Sequence, residues 1–214
     1  MKPTVIGIGG FASNVGKTGL LCELLRRLPG WEAIKTTRGH YRSCGKDPQR
    51  CCVSHLLADE PSVLSGRELN YDAGKDTARY WDAGAANVHW VIATDNQVER
   101  GVKQALELVR APGVLVEGNS FAQFVNPHYF LLVASPEVAS VKASARVALS
   151  KASAIYVARE AEASQVRALL GKLSSETALE GVSFYHESDI PFLAELFRGE
   201  GNHLRELGSL TLVP

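Results

Sequence analysis

A glycine-rich segment near the amino terminus, GGFASNVGKT at residues 9–18, contains a lysine and a hydroxyl that could bind phosphate and metal. Loop amides and the first turn of a helix favour an anion. Lys17 adds a positive charge that can reach terminal phosphates, and the Thr18 hydroxyl can bind Mg²⁺. Five residues separate Gly10 from Gly16. The usual pattern, G-x-x-x-x-G-K-[ST], has four residues between its two glycines. We predict a phosphate-binding loop with one extra residue; the alternative is a surface turn before a helix.

The residues of this segment that we expect to contact a bound nucleotide are Gly10, Asn14, Val15, Gly16, Lys17, Thr18 and Gly19. The segment follows the short apolar run TVIGI and precedes TGLLCELLRRL, whose leucines recur with helical spacing. A strand, a glycine turn and a helix in that order are the context that a phosphate loop requires.

Two acidic residues further along the chain are candidates for holding a magnesium ion. Glu117 ends the apolar run VLVE, and ligands of parallel sheets collect at the carboxyl ends of strands. Asp76, in AGKDT, is the second candidate, because Mg²⁺ prefers oxygen ligands. The alternative is that Asp76 or Thr77 caps the following helix, a role that is compatible with metal binding. The alternative for Glu117 is an exposed acid in a helix or loop.

A cluster of thiols lies within the polar region 36–70, where Cys44, Cys51 and Cys52 are flanked by His40 and His55. One interpretation is a Zn²⁺ site or an iron–sulfur cluster bound by the three cysteines and His55. The spacing C-x₆-C-C-x₂-H matches no standard finger. Redox-active thiols, a local disulfide and buried apolar thiols are the other interpretations.

Apolar runs that indicate strands alternate with helical patterns along the rest of the chain. WEAIK, VHWVIAT, GVLVEG, HYFLLVAS, SAIYVA and VSFY favour strands, whereas TARYWDAGAA, QVERGVKQALELVR, residues 138–150, EASQVRALLGKL and IPFLAELF favour helices. LGSLTLVP is typical of a terminal edge. This alternation predicts a three-layer α/β/α fold with a mainly parallel central sheet. We expect one domain over residues 1–214, with a cysteine-rich excursion at 36–70 that contains a short helix near VSHLLADE.

The composition excludes several classes of protein. The 214 residues suit one domain, and 23 basic side chains balance 23 acidic ones, which argues against a nucleic-acid or membrane surface. No segment has the apolar length of a membrane helix. We therefore expect a cytoplasmic protein whose four cysteines are thiols or metal ligands before they are disulfides.

Four segments carry resemblances to two known families. GFASNVGKT resembles the lengthened loop of dethiobiotin synthetases, approximately G-T-D-T-x-V-G-K-T. AIKTTRGH, AGKDTARYWDAGAANVHWVIAT and GVLVEGNSF resemble, in order and type, molybdopterin-guanine dinucleotide biosynthesis protein B (MobB), which reads roughly I-K-H, P-G-K-D-S, A-G-A and L-V-E-G. The resemblance covers about the first two-thirds of the chain and implies a P-loop NTPase fold.

The resemblance also implies roles for individual residues. It implies that nucleotide and Mg²⁺ are bound by Lys17, Thr18, Asp76 and Glu117. Lys35 and Lys75 would face the site, and Lys17, Lys35 and Glu117 would be the catalytic residues. The chain departs from MobB in its longer loop, in Gly19 where MobB has a second threonine, and in TTRGHYRSCGKDPQRCC, where MobB has histidines and an aspartate. The resemblance further implies a homodimer and a molybdenum-cofactor biosynthesis protein as partner.

Three functions remain open at this point. The first is a slow GTPase or ATPase that assists molybdenum-cofactor nucleotide attachment; with no N-K-x-D motif, the sequence leaves the base undecided. The second is an ATP-dependent ligase or small-molecule kinase related to dethiobiotin synthetase, which the loop spacing favours. The third is a metal or redox sensor that uses the cysteine cluster.

Overall fold

An eight-stranded sheet with helices on both faces forms the body of the protein. The computed structural model describes residues 2–39, 53–136, 143–159, 162–173 and 182–199. The strands are β1 (Thr4–Gly10), β2 (Glu32–Arg38), β3 (Ser62–Ser65), β4 (Val88–Ala93), β5 (Gly113–Glu117), β6 (Tyr129–Ala134), β7 (Ala154–Val157) and β8 (Ser183–Tyr185). The helices are α1 (Lys17–Arg27), α2 (Arg67–Asn70), α3 (Asp76–Asp82), α4 (Val98–Leu108), α5 (Ala143–Leu149), α6 (Ala163–Leu173) and α7 (Ile190–Arg198).

The strand order is β3-β4-β2-β5-β1-β6-β7-β8, and every neighbouring pair is parallel except β3 with β4. β5 lies between β1 and β2, with Glu117 opposite both Ile8 and Lys35 in register. The carboxyl ends of these three strands therefore meet at one edge of the sheet. This is the edge at which ligands bind in open α/β folds.

The central strands are buried on both faces, which explains their nearly continuous apolar sequences. Every residue of β5 and β6 is buried. Phe121 packs edge-to-face on Phe130 with ring centroids 5.5 Å apart. Helix α1 buries its leucines and Cys22 against the sheet and the neighbouring helices. The core thus fixes both the strand ends and the first helix rigidly.

The observed architecture confirms the predicted mainly parallel α/β fold. The sequence predicts no strand in the polar region 36–70, yet β3 lies there as an antiparallel edge strand and α2 follows it. Only two of the four β3 residues, SVLS, are apolar, and all four are partly exposed, so the strand carries little hydrophobic pattern. The short helix expected near VSHLLADE is a single 3₁₀ turn, Ser54–Leu56.

Several predictions fall on residues outside the described ranges. These are His40, Cys44, Cys51, Cys52, the first part of the helix predicted over 138–150, and the terminal edge at 207–214. In the ranges that the structure describes, no helix has the length and apolarity needed to cross a membrane.

Candidate functional site

The glycine-rich loop connects β1 to α1 and accommodates its extra residue through two backbone features. β1 continues to Gly10, and Phe11, at the position of the usual first glycine, is buried and donates its backbone N–H to the Val133 carbonyl at 3.1 Å. The chain then turns at Asn14 and Gly16, whose φ angles are 59° and 99°. Glycine suits the second position because side chains disfavour that conformation.

Asn119, two residues after the end of β5, holds the start of this loop. Its side-chain oxygen accepts the Gly10 N–H at 2.8 Å, and its side-chain nitrogen donates to the Gly10 carbonyl at 2.9 Å. A Cβ atom at Gly10 would lie 2.8 Å from Val15 and 2.9 Å from Lys17. The loop therefore packs closely on itself and is fixed to the neighbouring strand.

The first turn of α1 has the electrostatic character of an anion site. Its N-cap is Gly16, the turn contains no acidic residue, and Arg26 and Arg27 lie in the last turn. This distribution leaves the positive end of the helix dipole uncompensated at the loop. Lys17 is the first helical residue, and its ammonium group donates to the Ala12 carbonyl at 3.3 Å, within the same loop.

A polar network joins Thr18 to the carboxyl ends of β2 and β5. Glu117 accepts the Thr18 hydroxyl at 2.8 Å through Oε2, and the same oxygen accepts the Tyr80 hydroxyl. Its Oε1 lies 2.5 Å from the Lys35 ammonium, which is 2.6 Å from Oδ2 of Asp76. The network therefore brings the three predicted metal ligands, Thr18, Asp76 and Glu117, into one cluster.

The charges of this cluster stabilise one another. Burial opposes the charge of Lys35, but the negative charge of Glu117 and hydrogen bonds to Asp76 and Glu117 outweigh it and raise the pKa of Lys35. Burial likewise opposes ionisation of Asp76, and the bond to Lys35 outweighs it and lowers that pKa. Burial, and then the charge of Glu117, raise the pKa of Tyr80 well above its ordinary value. At neutral pH, Lys35 and Asp76 are thus charged, and the Tyr80 phenol is a donor.

The donor set of the cluster fits Mg²⁺. One hydroxyl and two carboxylates supply oxygen atoms, the ligands that this ion prefers, and the Thr18 and Glu117 oxygens lie 2.8 Å apart. Thr18 directly follows the loop lysine, so an ion held here would lie beside phosphates bound to the loop.

A cavity of about 520 Å³ opens above the loop and the polar network. Its lining includes Lys17, Thr18, Lys35, Asp76 and Glu117. A second cavity of about 610 Å³ adjoins it over α1 and is lined in part by apolar side chains. The two cavities share three lining residues, Gly16, Gly19 and Arg79. Volumes of this size accommodate small-molecule ligands.

The first cavity also gathers most of the loop residues predicted to contact a nucleotide. Gly10, Asn14, Gly16 and Gly19 line it, whereas Val15 is buried and lines the second cavity.

Lys75 and Asp76, at the start of α3, differ in their relation to the cavities. Lys75 is exposed, occupies the N-cap of α3 and lines neither cavity. Asp76 is therefore not the cap residue, which removes the alternative role weighed for it, and no side-chain hydrogen bond caps this helix.

The structure bears little on the predicted thiol cluster. His55 is the one predicted ligand inside the described ranges, and its side chain is exposed. Within those ranges, no group of three or more His, Cys, Asp or Glu side chains is arranged to hold a metal ion.

Sequence reasoning missed three residues of the site. Asn119 lies in the VEGNS segment that identified Glu117, and its position directly after a buried strand was the available signal. Tyr80 and Arg79 lie in a segment interpreted as an ordinary helix. Nothing in the helical period distinguishes a buried phenol that bonds a carboxylate from one that fills the core.

The comparisons with known proteins establish the fold. No family model matches the chain, and no curated protein matches it significantly. Among solved structures, HypB from Helicobacter pylori in complex with nickel matches with a TM-score of 0.51 and 14% identity, over 98% of this chain and 88% of that chain. The chain has a P-loop NTPase-like fold. An identity this low supports the fold alone. This fold agrees with the fold class predicted from the sequence.

Proposed function

We propose that this protein binds a purine nucleoside triphosphate together with Mg²⁺ and hydrolyses it slowly. The observation that carries the proposal is the network of Thr18, Lys35, Asp76 and Glu117 beside the glycine-rich loop. A loop before a helix supplies phosphate contacts, and the network supplies oxygen ligands and a partly buried ammonium group. The two features lie in one cavity, as nucleotide chemistry requires.

Different residues of the site bind the phosphate chain, support the loop and hold the metal ion. The loop amides and the first turn of α1 accept the phosphate chain, and Lys17 neutralises part of its charge. Asn119 keeps the loop in shape through its two bonds to Gly10. Thr18, Asp76 and Glu117 would hold Mg²⁺, which supplies charge neutralisation on the phosphate oxygens.

Hydrolysis then rests on positioning and charge. Water attacks the terminal phosphorus, and the bond between that phosphorus and the bridging oxygen breaks. The products are a nucleoside diphosphate and inorganic phosphate. Lys35 lies within the cavity, between two carboxylates, and can shift toward the phosphate as negative charge accumulates there. We expect slow turnover, because the proposed catalysis rests on charge stabilisation by Lys17 and Lys35, and we assign none of the described residues to orienting the water.

The resemblance to MobB gives the proposal a biological direction. Two of the segments that carry it, AGKDT and VEG, supply Asp76 and Glu117, and both residues line the cavity. We propose that the protein is an accessory factor in molybdenum-cofactor biosynthesis, and that it acts with a second protein of that pathway. Either GTP or ATP fits the proposed chemistry.

The first test measures nucleotide binding by calorimetry with Mg²⁺ in wild-type protein and in Lys17→Ala. A charge-assisted contact is worth about 1.5–3 kcal/mol, so we expect the variant to bind the triphosphate roughly 10- to 100-fold more weakly. Lys103→Ala is the control, since Lys103 is exposed on α4 and pairs with Glu99. Equal affinity in wild type and Lys17→Ala, with both proteins folded, would refute the site assignment.

A second candidate is an ATP-dependent ligase or small-molecule kinase, favoured by the loop spacing and by the partly buried ammonium of Lys35 in the cavity. Turnover measured with and without small carboxylates and amines separates the two. Hydrolysis that stays slow in their presence supports the accessory role. Acceleration by one of them, with a phosphorylated or ligated product, supports the second candidate.

A further inference from the structure

Arg79 lies where the two cavities meet. It belongs to α3, three residues after Asp76, and it lines both cavities together with Gly16 and Gly19 of the loop and α1. Its side chain is 50% exposed, so the guanidinium group reaches solvent at this junction. A ligand that extends from the first cavity into the second must pass between the first turn of α1 and this arginine.

The backbone that carries Arg79 is held firmly against α1. The Cys22 thiol donates to the Arg79 carbonyl at 3.5 Å, which joins the two helices directly. The next residue, Tyr80, is fully buried and donates to Glu117. The contacts of Arg79 with Cys22 and of Tyr80 with Glu117 thus fix α3 relative to the loop. The Arg79 guanidinium therefore lies at the junction without any movement of the loop.

The guanidinium group of Arg79 is weakly engaged by the protein. Its nearest acidic partner among the described residues is Asp76, at 3.9 Å, beyond hydrogen-bond distance. The other carboxylate oxygen of Asp76 is taken by Lys35 at 2.6 Å. By contrast, Arg38, which also lines the first cavity, bonds Asp95 at 3.0 Å. An exposed pair as long as that of Arg79 contributes little to stability, so its donors remain available to a ligand.

We propose that Arg79 binds the phosphate group that joins the nucleoside to the rest of the polyphosphate, the α-phosphate of the bound nucleotide. The inference rests on the proposed function and deepens it. The polyphosphate occupies the first cavity, and the nucleoside enters the second, where Val15, Leu20 and Tyr156 offer apolar surface. The planar fork of arginine matches two phosphate oxygens, and Arg79 stands at the junction with Gly16 and Gly19, the described residues that it shares with both linings.

The test compares Arg79→Met with wild type in calorimetric titrations of nucleoside triphosphate and diphosphate with Mg²⁺. Both ligands keep the α-phosphate, so the dissociation constants for both are expected to rise by the same factor, roughly tenfold for one partly exposed charge-assisted contact. Arg79→Lys keeps the charge but loses the fork, and its affinity should fall between the two. The matched control is Arg100→Met, because Arg100, on α4, is similarly exposed at 51% but pairs with Glu60 and lines neither cavity.

The possible outcomes separate this inference from the proposed function. Failure of the wild-type protein to bind any purine triphosphate would reject both. Wild-type binding with unchanged affinity in a folded Arg79→Met protein would reject the inference alone. A loss confined to the triphosphate, with diphosphate affinity intact, would place the guanidinium at the terminal phosphate and would also overturn it.

Discussion

Glu117 is the residue around which the candidate site is organised. Its side chain is 4% exposed, and it accepts hydrogen bonds from Thr18, Lys35 and Tyr80. A buried carboxylate is costly unless it is paired and hydrogen-bonded. These three partners come from separate elements, so the same carboxylate that could hold a metal also fixes α1, β2 and α3 around the cavity.

The Tyr80 hydroxyl gives the first prediction at this scale, tested with Tyr80→Phe. The variant leaves Glu117 with one donor fewer, which should cost about 1–3 kcal/mol of unfolding free energy at neutral pH. Because the pKa of Tyr80 is raised in the folded protein, its stabilisation is complete below its ordinary value of 10.0 and is lost as the pH rises above it. The fall of stability above about pH 10 should therefore be shallower in Tyr80→Phe.

Urea unfolding of both proteins between about pH 7 and pH 11 provides the measurement. Lys35 also has a raised pKa, so part of the alkaline decline should persist in the variant. Tyr71→Phe is the control, since Tyr71 is exposed and bonds the surface residue Asp82. Identical alkaline slopes in wild type and Tyr80→Phe would contradict the proposed coupling.

The sequence predicted the loop residues and the metal ligands of the site better than the neutral side chains that support them. Lys17 and Thr18 follow from a spacing pattern, and Glu117 follows from a carboxylate placed directly after an apolar run. Asn119 and Tyr80 act through contacts with residues more than thirty positions away in the chain, at 109 and 37 residues respectively. Such contacts depend on strand order and helix orientation, which no local pattern contains.

At the level of elements, the strand order β2-β5-β1 creates the site. Three carboxyl ends meet because β5, from the middle of the chain, inserts between β1 and β2, the first two strands. The sequence predicts the strands and their parallel direction, since helices separate them. It does not predict the order, and it missed β3, where partly exposed residues and only two apolar side chains leave no clear alternation.

The Asn119 bridge between β5 and the loop gives a prediction at this scale. Asn119→Ala removes both hydrogen bonds to Gly10, which should lower the unfolding free energy by about 1–2 kcal/mol. Nucleotide affinity should fall by more than stability suggests, because the loop loses its preorganised shape. Denaturant unfolding and calorimetry on the same protein measure both effects. Ser150→Ala is the control, since its hydroxyl bonds only its own helix end at Val147 among the described contacts. An Asn119→Ala protein with wild-type affinity would show that the loop keeps its shape without this bridge.

At the scale of the whole molecule, the charge distribution matters more than the total. The chain is formally neutral, yet the first cavity gathers Lys17, Lys35, Arg38 and Arg79 against two carboxylates. A concentration of positive charge inside a neutral protein is suited to a small anion rather than to an extended polyanion. The fold shared with HypB at 14% identity is compatible with many activities, so the argument for function comes from this cavity.

The last prediction concerns the stability of the entire fold. A ligand that binds only the folded state adds RT ln(1 + [L]/Kd), about 2.7 kcal/mol at a hundredfold excess over Kd. Nucleoside triphosphate with Mg²⁺ should therefore raise the melting temperature by several degrees, roughly 5 °C for a chain of this size. Removing Mg²⁺ with a chelator should reduce the shift, and Lys17→Ala should reduce it by about half or more, because both changes weaken phosphate binding without touching the core. A shift of the same size in wild type and Lys17→Ala would mean that the nucleotide binds elsewhere on the protein.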